Sequence, residues 1–131
     1  MIGIDTNVLL RYFAQDDPGQ SSCAELFLDS LTPEAPGFVT LITVTELYWV
    51  LDHSFKLPRT EIGKIFEELL SSPSLQFEQR SVVVAALRGY TMGKADLDDY
   101  LIAACAQFAG CDYTVSFDQT AAKSGIMQLL T

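Results

Sequence analysis

Residues 1–13 read MIGIDTNVLLRYF: a short apolar run, an aspartate, then Leu9, Leu10 and Phe13 at helical spacing. This predicts a strand over Met1–Ile4 and a helix over Asn7–Phe13, with Asp5 at the carboxyl end of the strand. Further along, Ala24, Phe27, Leu28 and Leu31 form an i, i+3, i+4, i+7 stripe, and Ile62, Ile65, Phe66, Leu69 and Leu70 form another, so both segments are expected as packing helices. Leu41 to Phe55 reads as a more apolar helix, Leu75 to Glu78 as a short strand, Asp96 to Ala109 as a buried helix and Tyr113 to Ser116 as a strand. Ser81 to Tyr90 carries conflicting signals: Val82, Val83 and Val84 favour a strand, whereas length and Ala85, Ala86 and Leu87 favour the helix adopted here. The segments around Pro18, Pro33 to Gly37, Pro58 and Pro73 read as short connections. Short strands alternating with helices predict an α/β fold with a parallel sheet covered on both faces.

Length and composition set the bounds. The 131 residues fit one domain over 1–131, and 49% hydrophobic content supplies a core without staples. No repeat or low-complexity tract interrupts the chain. No apolar run approaches the ~20 residues of a membrane span, and the start lacks a basic leader, so no membrane association is expected. Eight Lys and Arg against seventeen Asp and Glu leave a net charge of −9, which repels polyanions and excludes promiscuous, charge-driven nucleic-acid binding. Cys23, Cys105 and Cys111 are odd in number and lack metal-ligand spacing, which fits a reducing compartment, the cytoplasm by default.

In parallel sheets ligands collect beyond the carboxyl ends of the strands, which directs attention to the acids there. Asp5 follows the first strand and Asp118 the last, and parallel neighbouring strands would bring them to one sheet edge. Each has a plainer reading as a helix cap. Glu46 shares a helical face with Ile42, Thr43, Trp49 and Val50, groups that favour burial, so its carboxylate needs a cation or several donors; the alternative is a glutamate at the stripe's margin reaching solvent. Asp96, Asp98 and Asp99 open a helix, where its dipole favours acids, and Asp96 with Asp99 resembles a capping box. Ala103, Ala106 and Gly110 follow Asp99 on its own face, small enough to let the helix lie close to a sheet and turn Asp99 inward. His53 reads as a surface or helix-end residue, because nothing near it in sequence forms a dyad or triad.

Were Asp5, Glu46, Asp99 and Asp118 to converge, each pair ~5 Å apart would repel by roughly 3 kcal/mol at an effective dielectric of ~20. A marginally stable fold cannot carry that several times over without a cation. All-carboxylate ligands select hard ions, Mg²⁺ or Mn²⁺, and the lack of neighbouring His or Cys argues against zinc. A carboxylate-held Mg²⁺ suits phosphodiester hydrolysis, and the ion makes an acidic protein tolerable to phosphate.

Four segments carry a resemblance: MIGIDTNVLLRYFAQDD, the glutamate of TLITVTELYWVL, the helix ADLDDYLIAACA and the late strand YTVSFDQTAAK. Collinear from Ile2 to Leu130, they resemble the PIN domain in its VapC-type toxin form. The resemblance implies a three-layer α/β/α sandwich with a central parallel sheet, Mg²⁺- or Mn²⁺-dependent endoribonuclease activity, a homodimer and a VapB-like antitoxin that blocks the site. By position it makes Asp5, Glu46, Asp99 and Asp118 the catalytic metal ligands. Thr6, Asn7 and Ser116 match small polar residues that orient carboxylates or water, and Asp96 an acid that supports the third motif. Two departures concern substrate space and the ligand set: Tyr100 stands where a small residue is common, and Asp98 adds a charge that could replace a neighbour as ligand. Arg11, Lys94 and Lys123 are the RNA-phosphate candidates, each with a plainer reading as a solvated surface charge.

Other classes fit less well. A haloacid-dehalogenase-type phosphotransferase needs a second aspartate two residues after the first, where this chain has Asn7. A receiver domain expects an acidic pair ahead of its phosphorylated aspartate. A PIN-fold interaction or regulatory module with weak catalysis is the main alternative, disfavoured by the presence of all four acids.

Overall fold

In the computed structural model, which describes residues 1–131, β1 (Ile2–Gly3) runs into α1 (Thr6–Ala14), as the opening residues predict. There follow α2 (Pro18–Ser30), β2 (Gly37–Val39), α3 (Leu41–Trp49), a π-helical segment (Val50–Ser54), α4 (Arg59–Ser71) and β3 (Leu75–Phe77). The chain continues with α5 (Arg80–Met92), α6 (Leu97–Phe108), β4 (Val115–Ser116), α7 (Gln119–Lys123) and β5 (Gln128–Leu129). Every strand pairing is parallel: β1 with β2, β2 with β3, and β4 with β5. Helices alternating with parallel strands make this the expected α/β fold. Hydrogen bonding groups the strands as β1-β2-β3 and β4-β5. No helix is long and apolar enough to cross a membrane.

The chain divides into two compact units, Met1–Glu78 and Gln79–Thr131. In the first, Leu9, Val39, Val44, Leu47, Ile62 and Phe66 are fully buried and hold α1, α3 and α4 around the three-stranded sheet. Helix starts are specified locally. Asp17 accepts a 3.1 Å bond from the Gln20 amide ahead of Pro18, whose fixed φ suits a first turn. Thr40 Oγ1 accepts from the Thr43 amide at 3.1 Å, and Glu78 Oε1 accepts from the Leu41 amide at 2.8 Å. Two free amides of α3 are thus satisfied, one of them by a carboxylate next to the end of β3.

Helix α3 corrects one expectation. Its core face is Thr43, Val44, Leu47 and Tyr48, whereas Ile42 is 75% exposed, Trp49 54% exposed, and Glu46 lies exposed between them. The face of Glu46 is therefore not a buried one. A helix apolar almost all round gives no periodic signal for which side meets the core.

In the second unit α5 and α6 pack through Tyr100, which is buried. Its ring lies over Gly89, where an added Cβ would come within 2.5 Å of Cδ1, and its hydroxyl fills the space a Cβ on Gly93 would need. This accounts for the large residue after Asp99: Tyr100 is directed into α5. The small residues Ala103 and Ala106 are only half-buried, and Gly110 is exposed, so α6 is less buried than expected. Ala103 and Ala104 instead border a cavity of about 730 Å³ whose lining includes Thr114 and Gln128. The three cysteines are free.

Candidate metal centre

In the first unit, Asp5 precedes α1 in extended conformation, exposed, and its carboxylate makes no capping bond. The capping alternative for Asp5 is thus not realised. Thr6, next in sequence, is 3% exposed, and its hydroxyl donates a hydrogen bond to Glu46 Oε1 across forty positions of chain. The first turn of α1 therefore orients the carboxylate in the middle of α3. Asn7 is exposed at the start of the same helix. Arg11 is already engaged: Nη1 lies 2.7 Å from Asp16 Oδ1, and Nε donates to Gln20 Oε1 at 2.8 Å.

In the second unit the acids gather around the start of α6. One carboxylate oxygen from each of Asp96, Asp98 and Asp99 lies within 4.8 Å of the others. Asp96 stands before α6 in extended conformation, its side chain capping nothing, and the Asp99 amide donates to Asp98 Oδ1 at 3.0 Å. The expected capping box is absent, replaced by a bond between sequence neighbours. Asp99 is half-buried, and its pKa is raised above the usual carboxylate value, first by that burial and then by the charges of Asp98, Asp118 and Asp96; a backbone hydrogen bond at Asp96 opposes the rise. Asp118 thus belongs to the same electrostatic group. Its Oδ1 caps α7 by accepting from the Ala121 amide at 3.0 Å, and its own amide donates to Ser116 Oγ at 2.9 Å. The capping reading holds for Asp118, and Ser116 fixes the backbone that presents it. Lys94 and Lys123 are exposed.

The donor set suits a hard dication. Three carboxylates within 4.8 Å, with no sulfur or imidazole among them, match the ligands of Mg²⁺ or Mn²⁺. The Asp99 shift adds a physical reason: closely spaced anions resist full ionisation unless a cation joins them. Asp98, in sequence an added charge that could replace a neighbour as ligand, stands here within the same group as Asp96 and Asp99. For the bond between Thr6 and Glu46 the resemblance supplies the orienting role of Thr6, whereas its partner, forty positions away, has no local signal.

A strand-to-helix opening with an uncapped acid, parallel β/α order and an acidic cluster at a helix start define a class of carboxylate-bearing α/β domains. Residues 2–125 match the family model for the PIN domain, a span that runs through both units. The chain belongs to the PIN domain family. It is also 24% identical over 122 residues to a VapC ribonuclease of Aquifex aeolicus (strain VF5), covering 93% of this chain and 90% of that relative.

Proposed function

We propose that this chain is a Mg²⁺- or Mn²⁺-dependent endoribonuclease, the toxin of a toxin–antitoxin pair, acting in the cytoplasm as a homodimer held in check by a VapB-like antitoxin. The whole of 1–131 acts as one PIN domain. Asp5, Glu46, Asp99 and Asp118 supply the metal ligands, with Asp98 able to join them beside Asp99. Thr6, Asn7, Asp96 and Ser116 orient those carboxylates, while Arg11, Lys94 and Lys123 contact RNA phosphate. For Arg11 this means exchanging Asp16 for a phosphate oxygen. The observation that carries the reading is the half-buried Asp99 amid mutually repelling acids, in a chain of the PIN family.

Held by these carboxylates, a hard dication would supply Lewis-acid polarisation of a phosphodiester and a more acidic water. The protein's own part is to hold the carboxylates. Thr6 does this for Glu46, so Thr6→Val should lower cleavage about tenfold, the lower end of what loss of an orienting bond does, while the fold survives. Unchanged turnover would mean that Glu46 needs no such hold.

Metal should also stabilise the fold by binding the native state preferentially. Mg²⁺ or Mn²⁺ at 100 times its dissociation constant should contribute about 2.7 kcal/mol, read as a rise in melting temperature. A flat melting temperature up to millimolar ion would count against the site. The decisive assay is cleavage of single-stranded RNA with Mg²⁺, with chelator, and with Asp5→Asn. Cutting should need both the ion and the aspartate, and cleavage that survives chelation overturns the proposal.

A further inference from the structure

The solvent face of α3 carries a feature that the metal site does not use. Trp49, the sole tryptophan of the chain, is 54% exposed and stacked on His53, the sole histidine, with ring centroids 4.1 Å apart and planes 9° from parallel. Trp49 lies one turn beyond Glu46, and positions three apart on a helix share a face. His53 sits in the π-helical segment, whose wide turn is closed by the Phe55 amide donating to Val50 O at 3.0 Å. Such segments are uncommon and concentrate at functional sites. His53 Nδ1 also lies 3.2 Å from Trp49 O and 3.4 Å from Asp52 Oδ2, which steadies the imidazole against the indole.

We propose that Trp49, backed by His53, is a stacking platform for a nucleobase of the RNA strand whose backbone is cut at the Glu46-containing site. The inference rests on the ribonuclease reading and adds to it the group that positions the substrate. Charge decides which part of an RNA can be held here. With a net charge of −9, and with Glu46 and Asp52 on or beside it, this face repels phosphate. A base is neutral and offers a π-face whatever its identity, and unpaired bases are commonly held on aromatic side chains. The indole is already ordered by its histidine, so little freedom remains to be lost on binding. Trp49 is a positioning residue: it sets where the strand lies and takes no part in bond breaking.

One tryptophan makes the test direct, because all indole emission comes from Trp49. The full chain carrying Asp99→Asn, to suppress cutting, is titrated with a single-stranded oligoadenylate hexamer and with an abasic strand of equal charge. Saturable quenching by the first and none by the second is expected. In the same background Trp49→Ala should weaken binding of the hexamer, followed by anisotropy of a labelled strand, about tenfold, with Trp49→Phe recovering most of it. In the active chain Trp49→Ala should raise KM for RNA more than it lowers kcat. Hexamer that binds without quenching, or equal quenching by the abasic strand, overturns the platform. So does emission that shifts with protein concentration in parallel with self-association, which would assign this face to a second copy of the chain. Failure of the ribonuclease reading shows separately, as absence of metal-dependent cleavage by the parent chain.

Discussion

Asp99→Asn is expected to lower RNA cleavage by at least ~10²-fold, the size of loss seen when a group that stabilises transition-state charge is removed. The same change should make the metal-free protein more stable at neutral pH. Asp99 sits half-buried among Asp98, Asp118 and Asp96, and its pKa is raised in the fold by burial and by those charges in turn. The folded state therefore holds the Asp99 proton more tightly than the unfolded state does. Stability contributed by that proton is full below the unfolded value near 3.8 and is lost as pH rises through the higher folded value. At neutral pH the parent carries the whole penalty and the variant none, so the variant should melt higher. The two melting temperatures should converge on acidification below 3.8. Saturating Mg²⁺ should reverse the order, because only the parent gains the ion. A variant that cuts RNA at the parent's rate would remove Asp99 from the ligand set. A variant that melts below the parent in chelator at neutral pH would mean that repulsion is not what the cluster stores.

The opposition expected between activity and metal-free stability follows from the run ADLDDY, but the geometry behind it does not. Elements with a clear stripe appear where the sequence puts them: α2 and α4 follow their i, i+3, i+4 patterns, and the contested Val82–Val84 segment lies in α5. The strands are harder to read because they are short. β2 spans only Gly37–Val39, sits at the end of a segment that reads as a Pro-rich connection, and is nonetheless the central strand of its sheet. β5, two residues long, is too short to show a period of two, and Tyr113 and Thr114 fall outside β4. At the site, residue types point to a cluster of acids, whereas hydrogen bonds set which acid is held and how. Asp5 leaves its helix uncapped while Asp118 caps its own, although both occupy the same position relative to a following helix. Local sequence cannot separate these outcomes. They depend on competing partners, such as the Asp98 carboxylate that takes the Asp99 amide.

Gly93→Ala tests how the acidic turn is held in place. Gly93 has φ −112 and ψ −162, extended backbone open to any residue, so the substitution costs nothing in main-chain conformation. The added methyl would instead overlap the Tyr100 hydroxyl. Forcing a methyl into a filled space costs about 1–3 kcal/mol, which for a chain of this size is a fall in melting temperature of roughly 4–11 °C. The consequence should reach the metal site, because Tyr100 directly follows Asp99 and its seat between Gly89 and Gly93 fixes the rotation of α6 about its axis. Moving the ring turns the first turn of α6, with Asp96, Asp98 and Asp99 on it. Since misplacement by ~1 Å can cost ~10²-fold in rate, cleavage should fall by at least about tenfold even well below the melting temperature, and Mn²⁺ should bind more weakly. Tyr100→Phe removes the overlapping oxygen and leaves the ring 3.0 Å from the new methyl at its nearest remaining atom, a contact that small shifts relieve. The double variant should therefore recover most of the lost stability, and cleavage with it. Recovery of stability without recovery of cleavage would separate the cradle from the metal site and leave Tyr100 as a packing residue alone.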